Sequence, residues 1–303
     1  LVSETTFFYP AHRFGLIFHG IAILALVVGG AWSLWQATQA EVGPTFLLYL
    51  LPTLLALAMV PVLAYRAYAL WRASYSLERD GIRLRWGLRE EVIPMDVVGW
   101  VRPANDVGFS LPLPRMRWPG AVLGVRRLPD GSQVEYLAAQ TGQLVLIAAF
   151  GRVFAISPAD PDEFLRTYQR LSELGSLTPL PARSLYPAFL LARVWATKPA
   201  RYLLLSGLIL SLGLLVVVSL LVPSRPAISL GFNPDGTPTD LVPSVRMLLL
   251  PFLNSFFYLA DLLAGLFFYR REGGQALAFL LWGSGVLTAL FFLSAVIFIQ
   301  GTG

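Results

Sequence analysis

The chain has 303 residues, of which 56% are hydrophobic and only 14% charged, and its mean hydropathy is +0.64. That composition lies outside the range of soluble globular domains and describes a membrane protein. With no cysteine, the chain has no disulfides, thiolate zinc sites, iron–sulfur clusters or covalently attached haem, and two histidines, His12 and His19, make a bis-histidine haem implausible, so no cofactor is expected.

The sequence opens on Leu1 rather than Met, so residues upstream of it are expected, with room among them for a targeting signal. The first apolar segment, Phe14 to Trp35, is too long for a signal peptide and too closely followed by a second, Phe46 to Leu70. Each meets the need for about 20 helical residues to cross a bilayer core. Residues 1–73 therefore read as a transmembrane hairpin whose tip is "QATQAEVGP". His19 is the one histidine inside a span, and it reads as a polar group hydrogen-bonded to a neighbouring helix rather than as a ligand.

Residues 74–175 change character. Strand patterns near Tyr75–Glu78, Ile82–Trp86 and Glu90–Pro94 are separated by the turn signals Asp80-Gly81 and Gly87-Leu88. A second series, "GAVLGVRRL", "SQVEYLAA", "QLVLIAAF" and "RVFAISP", is broken by Pro129-Asp130-Gly131, Thr141-Gly142 and Gly151. About seven strands at this spacing predict a small β-sandwich or barrel. The helix that follows has Asp160 as its cap, Pro161 at its first position and Glu163 completing a capping box, with Phe164, Tyr168 and Leu171 on one face. The segment carries 12 Arg against 12 Asp plus Glu. A neutral domain offers nucleic acid no basic stripe.

Seven strands, a C-terminal amphipathic helix and an opening of the form "Y.L..DGI.L..G......IP" resemble the bacterial pleckstrin-homology-like (PH-like) domains that are fused to membrane helices. The residues concerned are Tyr75, Leu77, Asp80-Gly81-Ile82, Gly87, Ile93-Pro94 and "FAISPADPDEFL" from Phe154 to Leu165, and the resemblance covers about a third of the chain. Eukaryotic relatives of that fold bind inositol phosphates through basic residues of a strand loop. Here Arg83 and Arg85 share one strand face, with Arg79 and Arg89 nearby. They read either as an anion or lipid-headgroup site or, as we favour, as a solvated face balanced by Glu78, Glu90 and Glu91, because a neutral domain does not steer anions. The family pattern is interrupted by a long insert, Pro103 to Gly120, in which four prolines oppose regular structure and Arg115 and Arg117 alternate with Met116 and Trp118. These four residues are expected to dip into the headgroup layer, dock on a partner or move freely.

A linker, residues 176–201, holds a short interfacial helix whose apolar stripe is Tyr186, Phe189, Leu190, Val194 and Trp195, with Arg193 and Lys198 placed to snorkel. Residues 202–303 then form a three-helix transmembrane region with spans at Tyr202–Val222, Met247–Phe268 and Gln275–Ile299 and a loop over 223–245. Pro226, Ile228, Phe232, Gly236 and Pro238, followed by a hairpin from Leu248, resemble an uncharacterised membrane domain of bacterial immunity-type and PH-fused proteins, with Gly231 where a His is common. Asp235 and Asp240 are too few for a metal site.

If residues 74–175 are cytoplasmic, nine Lys and Arg flank the spans on that side (Arg13, Arg66, Arg72, Arg183, Arg193, Lys198, Arg201, Arg270, Arg271), against Arg225 and Arg246 on the other. This bias places the β-rich domain in the cytoplasm and the C-terminus outside a bacterial cytoplasmic membrane. It also locates the net charge of +5 beside the spans, where anionic lipid accounts for it.

Within the fourth span, Asn254, Tyr258, Asp261, Gly265 and Phe268 recur at spacings of 4, 3, 4 and 3, which is one helix face. Asp261 lies eight residues before Tyr269, roughly 12 Å along the helix at about 1.5 Å per residue. A charged Asp at the bilayer centre costs about 2.5–3.5 kcal/mol on insertion scales, so the face must look inward. Three roles are open to Asp261: a hydrogen bond within the bundle to Tyr258, Ser284 or Thr288, a relay with Arg66 as the nearest second ionisable group, or a pair with another subunit. Structural pairing is favoured, since the other spans supply no chain of ionisable groups.

No Ser/His/Asp constellation, P-loop, zinc spacing or carboxylate pair points to an enzyme, and five spans without repeat symmetry argue against a transporter. The reading that remains is a non-catalytic accessory, scaffold or assembly subunit of a larger membrane complex, an energy-converting one among the candidates. Its expected partners are membrane lipids and other integral membrane subunits. The runner-up is a stand-alone envelope-stress or immunity-type protein that recognises lipid or peptide.

Overall fold

The protein's structure, a computed structural model, describes residues 5–108, 111–114, 117–128, 131–175, 181–185, 189–229, 231, 235, 239–271 and 273–301. It divides into two compact units, Leu1–Val28 with Ala56–Pro187 and Gly29–Leu55 with Ala188–Gly303.

A short strand, β1 (Thr6–Phe8), precedes the apolar helices α1 (Arg13–Gln39) and α2 (Pro44–Trp71), of which the parts up to Val28 and from Ala56 belong to the first unit, and the chain then makes β2 (Ser74–Glu78). β1 and β2 are antiparallel neighbours, with Phe7 opposite Ser76. The whole helical hairpin is thus inserted between two hydrogen-bonded strands. There follow β3 (Gly81–Trp86), β4 (Arg89–Pro94), β5 (Val98–Pro103), β6 (Val122–Arg127), β7 (Gln133–Ala138), β8 (Val145–Ala149), β9 (Arg152–Ile156), α3 (Pro161–Leu174) and β10 (Arg183–Leu185). They build two five-stranded sheets, β1-β2-β3-β4-β10 and β5-β8-β9-β7-β6, in which β7 and β9 run parallel.

This is more than the seven strands expected. β1 and β10 have three residues each and take their partners from distant sequence. β5 shifts register between Val98 and Trp100 and ends on Pro103, which breaks its alternation. Two of the added strands lie outside residues 74–175, so the first sheet draws on segments at both ends of that range.

The second sheet is apolar on both faces. Leu137, Val145, Ile147, Phe154 and Ile156 enter a core shared with Tyr75, Ile82, Leu84, Ile93, Phe164 and Leu171, while Val134, Tyr136, Leu146, Val153 and Ala155 face the other way into a second core. Alternate residues of one strand point to opposite faces, so the run "QLVLIAAF" signals a strand buried on both sides. What covers the second core is the insert: Ala104, Val107, Leu111 and Leu113 pack on it, and Tyr136 donates its hydroxyl to the Pro112 carbonyl at 3.2 Å. Tyr75 ties the sheets together through a 2.6 Å bond to the Leu137 carbonyl. α3 closes the first core, with Asp160 accepting the Glu163 N–H at 2.8 Å as its cap.

The first core continues into the helices, for Ala69 and Leu70 of α2 belong to it, with Ala73 just beyond, and Leu16 of α1 packs against it. Gly87, at positive φ in the β3–β4 turn, donates its N–H to the Ala69 carbonyl at 3.2 Å, and a Cβ there would lie 2.8 Å from that of Ala69. Gly15 of α1 meets Gly120 and Leu70 so closely that a Cβ would come within 2.6 Å of both. Only glycine permits that approach.

In the second unit, α4 (Phe189–Ala196), α5 (Lys198–Leu221), the strand pair β11 (Ala227–Ile228) and β12 (Val242–Pro243), α6 (Leu249–Tyr269) and α7 (Gln275–Gly301) follow one another. Together with α1 and α2, the segments Lys198–Ser224, Ser244–Tyr269 and Gln275–Gln300 make five helices long and apolar enough to cross a membrane among the described residues. Phe252, Phe256, Leu259, Leu263 and Phe267 form the exposed side of α6, a surface suited to lipid. Leu214, Val218, Ile228, Met247 and Val296 form one apolar cluster, onto which Val42 of the hairpin tip packs, and Val194, Ala200, Tyr269, Ala278 and Trp282 form another. Val194 turns into this bundle while Trp195 is exposed, so the two do not share one interfacial stripe. Tyr186 lies outside the described residues.

Candidate functional site

Along the inner face of α6 runs a polar seam. Asn254, 1% exposed, donates from Nδ2 to Ser211 Oγ of α5 at 2.8 Å. Ser211 in turn donates to the Gly207 carbonyl at 2.7 Å. One turn along α6, Tyr258 donates its hydroxyl to the Leu204 carbonyl at 2.9 Å, its ring lying over Gly207, where a Cβ would come within 2.8 Å. Asp261 then accepts from Ser284 Oγ of α7 at 3.2 Å. Ser284 is also 2.7 Å from the Leu281 carbonyl, so one hydroxyl proton serves two acceptors and the carboxylate has the longer bond. Asp261 is half-buried and Ser284 exposed. The carboxyl thus stands at the edge of the α6–α7 groove, with capacity for a further donor.

Of the partners named for Asp261 from sequence, the structure brings Ser284 to it and gives Tyr258 a different acceptor. Arg66 has its own partner: its guanidinium lies 4.9 Å from the centroid of the Trp118 ring.

Trp118 also meets Phe18 of α1 edge to face, 6.4 Å between centroids. The end of the insert is therefore docked on the chain's own hairpin, between α1 and α2. Arg117 beside it is exposed, and Arg115 and Met116 lie outside the described residues. His19 is fully buried one turn beyond Gly15, and its Nδ1 bonds the Gly15 carbonyl of its own helix at 2.7 Å rather than a neighbouring helix. Its Nε2 is buried with no partner among the described residues.

Arg83 and Arg85 line an open hollow of about 170 Å³ with Phe7, Ser74, Ser76, Glu78 and Glu90. Both are ion-paired, Arg83 to Glu78 at 3.0 Å and Arg85 to Glu90 at 3.5 Å. A hollow whose cations are already matched by carboxylates has little field for an added anion.

Sequence reasoning missed the cluster around Arg89. This side chain bridges Glu91 and Glu135 at 2.8 Å each, linking β4 to β7, while Arg152 approaches Glu135 at 3.6 Å and Ser184 donates to Glu91 at 2.7 Å. Burial by itself would lower the Arg89 guanidinium, but the hydrogen bonds and charges of Glu135 and Glu91 outweigh it and hold it above the ordinary range. The one local signal was the pair Glu90-Glu91, of which a strand turns one residue inward.

Residues 73–172 match the Bacterial PH domain family. The match runs from β2 into the last turn of α3, about a third of the chain, and leaves β1, β10 and all the long apolar helices outside it. A search of curated proteins and a search of solved structures each return no match. Around the PH-like domain the neighbouring segments supply what the matched region lacks: an edge strand on each side of the first sheet and a helical floor from Leu16, Ala69 and Leu70.

Proposed function

We propose that the chain is a non-catalytic accessory or assembly subunit of a larger membrane complex, holding its partners through its helices and its cytoplasmic PH-like domain. PH domains are generally non-catalytic binding modules. The observation that carries the reading is the insertion of the α1–α2 hairpin between the paired strands β1 and β2, with a core that continues from the sheets into Leu16, Ala69 and Leu70. A domain recruited on a tether needs a flexible linker; this one is built as the end of a helical hairpin, which suits a fixed platform. The seam on α6 supports the same reading, because Asn254, Tyr258 and Asp261 each have a partner within the bundle, as packing groups do.

The test is to dissolve native membranes in several mild detergents and separate the particles by size. The chain should travel with other integral membrane subunits in fixed ratio. Its recovery as a lone chain or homo-oligomer in every detergent would overturn the proposal.

A further inference from the structure

The β3–β4 turn has an unusual position for the tip of a soluble domain. Its Gly87 bonds Ala69, two residues before α2 ends at Trp71, and a Cβ on Gly87 would lie 3.5 Å from the Tyr65 hydroxyl. The turn therefore lies beside the last two turns of a helix of transmembrane length, a stretch of roughly 9 Å at about 1.5 Å per residue. Next to Gly87 stands Leu88, 51% exposed, while Trp86 before it is buried.

On another side of the same helix stretch the insert brings Trp118 under Arg66 and Gly120 against Leu70. The surface around these contacts carries exposed Phe14, Ile17, Tyr65 and Trp71, and Arg72 donates to the Tyr68 hydroxyl at 2.7 Å. Aromatic rings mixed with arginines at the end of an apolar helix are the composition of a lipid–water boundary.

We propose that the base of the PH-like domain is a lipid-binding surface, with Leu88 of the β3–β4 turn seated in the headgroup–acyl boundary. The inference rests on the membrane reading of α2 and adds a second point of membrane contact to it. A leucine at the level of Tyr65 to Ala69 meets the same medium as those residues, and burying it in lipid removes apolar surface from water. Leu88 and Trp118 then hold the domain at fixed height and tilt, with the exposed arginine at 117 directed to the headgroups.

The experiment uses the full chain, which lacks cysteine, in phosphatidylcholine vesicles. Single variants Leu88→Cys, Leu57→Cys and Glu173→Cys are labelled with a small fluorophore, and quenching by lipids brominated near the glycerol backbone is compared with quenching by aqueous iodide. Leu57 is 72% exposed in mid α2. Glu173 is exposed near the end of α3, which Arg79 ties to the opposite end of β3 through bonds of 2.6 and 2.7 Å to the Leu174 and Gly175 carbonyls. Brominated lipid should quench the labels at 57 and 88 severalfold more than the label at 173, and iodide should do the reverse. A label at 88 that behaves like the one at 173, while 57 is quenched by lipid, overturns the proposal and leaves the membrane reading intact. Absence of lipid quenching at 57 overturns the membrane reading itself.

Discussion

The guanidinium of Arg66 stacks on the ring of Trp118 at 4.9 Å, joining the second apolar helix to an insert in the soluble domain. Removing the ring in Trp118→Ala should cost about 2 kcal/mol, less than the ~3–5 kcal/mol of a fully buried aromatic because Trp118 is half-buried. A double-mutant cycle with Arg66→Ala, read by thermal unfolding in detergent, should return a coupling of about 0.5–1 kcal/mol. Zero coupling would mean that the stack holds nothing.

Removal of the more deeply buried cation, Arg89 at 12% side-chain exposure, should be more damaging than removal of Arg83 at 40%. Arg89→Ala leaves Glu91 and Glu135, 4% and 6% exposed, without their shared partner, a change of about 3–5 kcal/mol for buried pairs. Arg152 and Ser184 remain beside them, so the lower end is expected. Arg83→Ala, on the open face, should cost under about 1 kcal/mol. Denaturant unfolding of the two variants compares them directly, and equal losses would contradict the burial argument.

Tyr75 sets a pH limit. Its burial pushes the phenol well above the usual tyrosine range, against smaller opposing hydrogen bonds with Ser157. The unfolded chain releases this proton near pH 10, at about the reference value. Because the folded form holds it to higher pH, the contribution to stability is whole below about pH 10 and is lost as pH rises beyond it. Tyr75→Phe should therefore flatten the fall in unfolding midpoint above that pH, and an unchanged slope would count against the account.

The five long helices were legible because lipid-length apolar runs leave few alternatives, and the cap of α3 because Asp160, Pro161 and Glu163 act within a single turn. Three strands were not. β1 and β10 are specified by the edges they join, not by their own three residues, and β5 is broken by its register shift between Val98 and Trp100 and by Pro103 at its end. The insert left headgroup contact, docking on a partner and free movement all open, because its packing partners, the outer face of the second sheet and the crevice beside Gly15, exist only after folding. Asn254, Tyr258 and Asp261 were visible as one helix face, but their acceptors and donors on α5 and α7 required the bundle. Arg89 looked like one more surface charge, since nothing local shows that Glu135 arrives opposite it.

Orientation is open to direct labelling. Nine basic residues against two beside the spans predict that residue 132 is cytoplasmic and residue 237 external. With Ser132→Cys and Thr237→Cys in separate chains, an impermeant thiol reagent on whole cells should label only the second. Labelling of the first alone would invert the topology.

The proposal of an assembly subunit whose α6 seam is structural is tested most directly at Asp261. Asp261→Asn keeps size and an acceptor for Ser284, so both association with the parent complex and activity of that complex should survive. Asp261→Leu removes the acceptor at a cost of about 1–3 kcal/mol for a lost buried hydrogen bond; within the chain the low end applies, since Ser284 retains the Leu281 carbonyl. A clear loss of detergent-resistant association in the Leu variant, with the Asn variant intact, is the result expected. Activity abolished by Asn while association is unchanged in both variants would show a titrating relay and contradict the account.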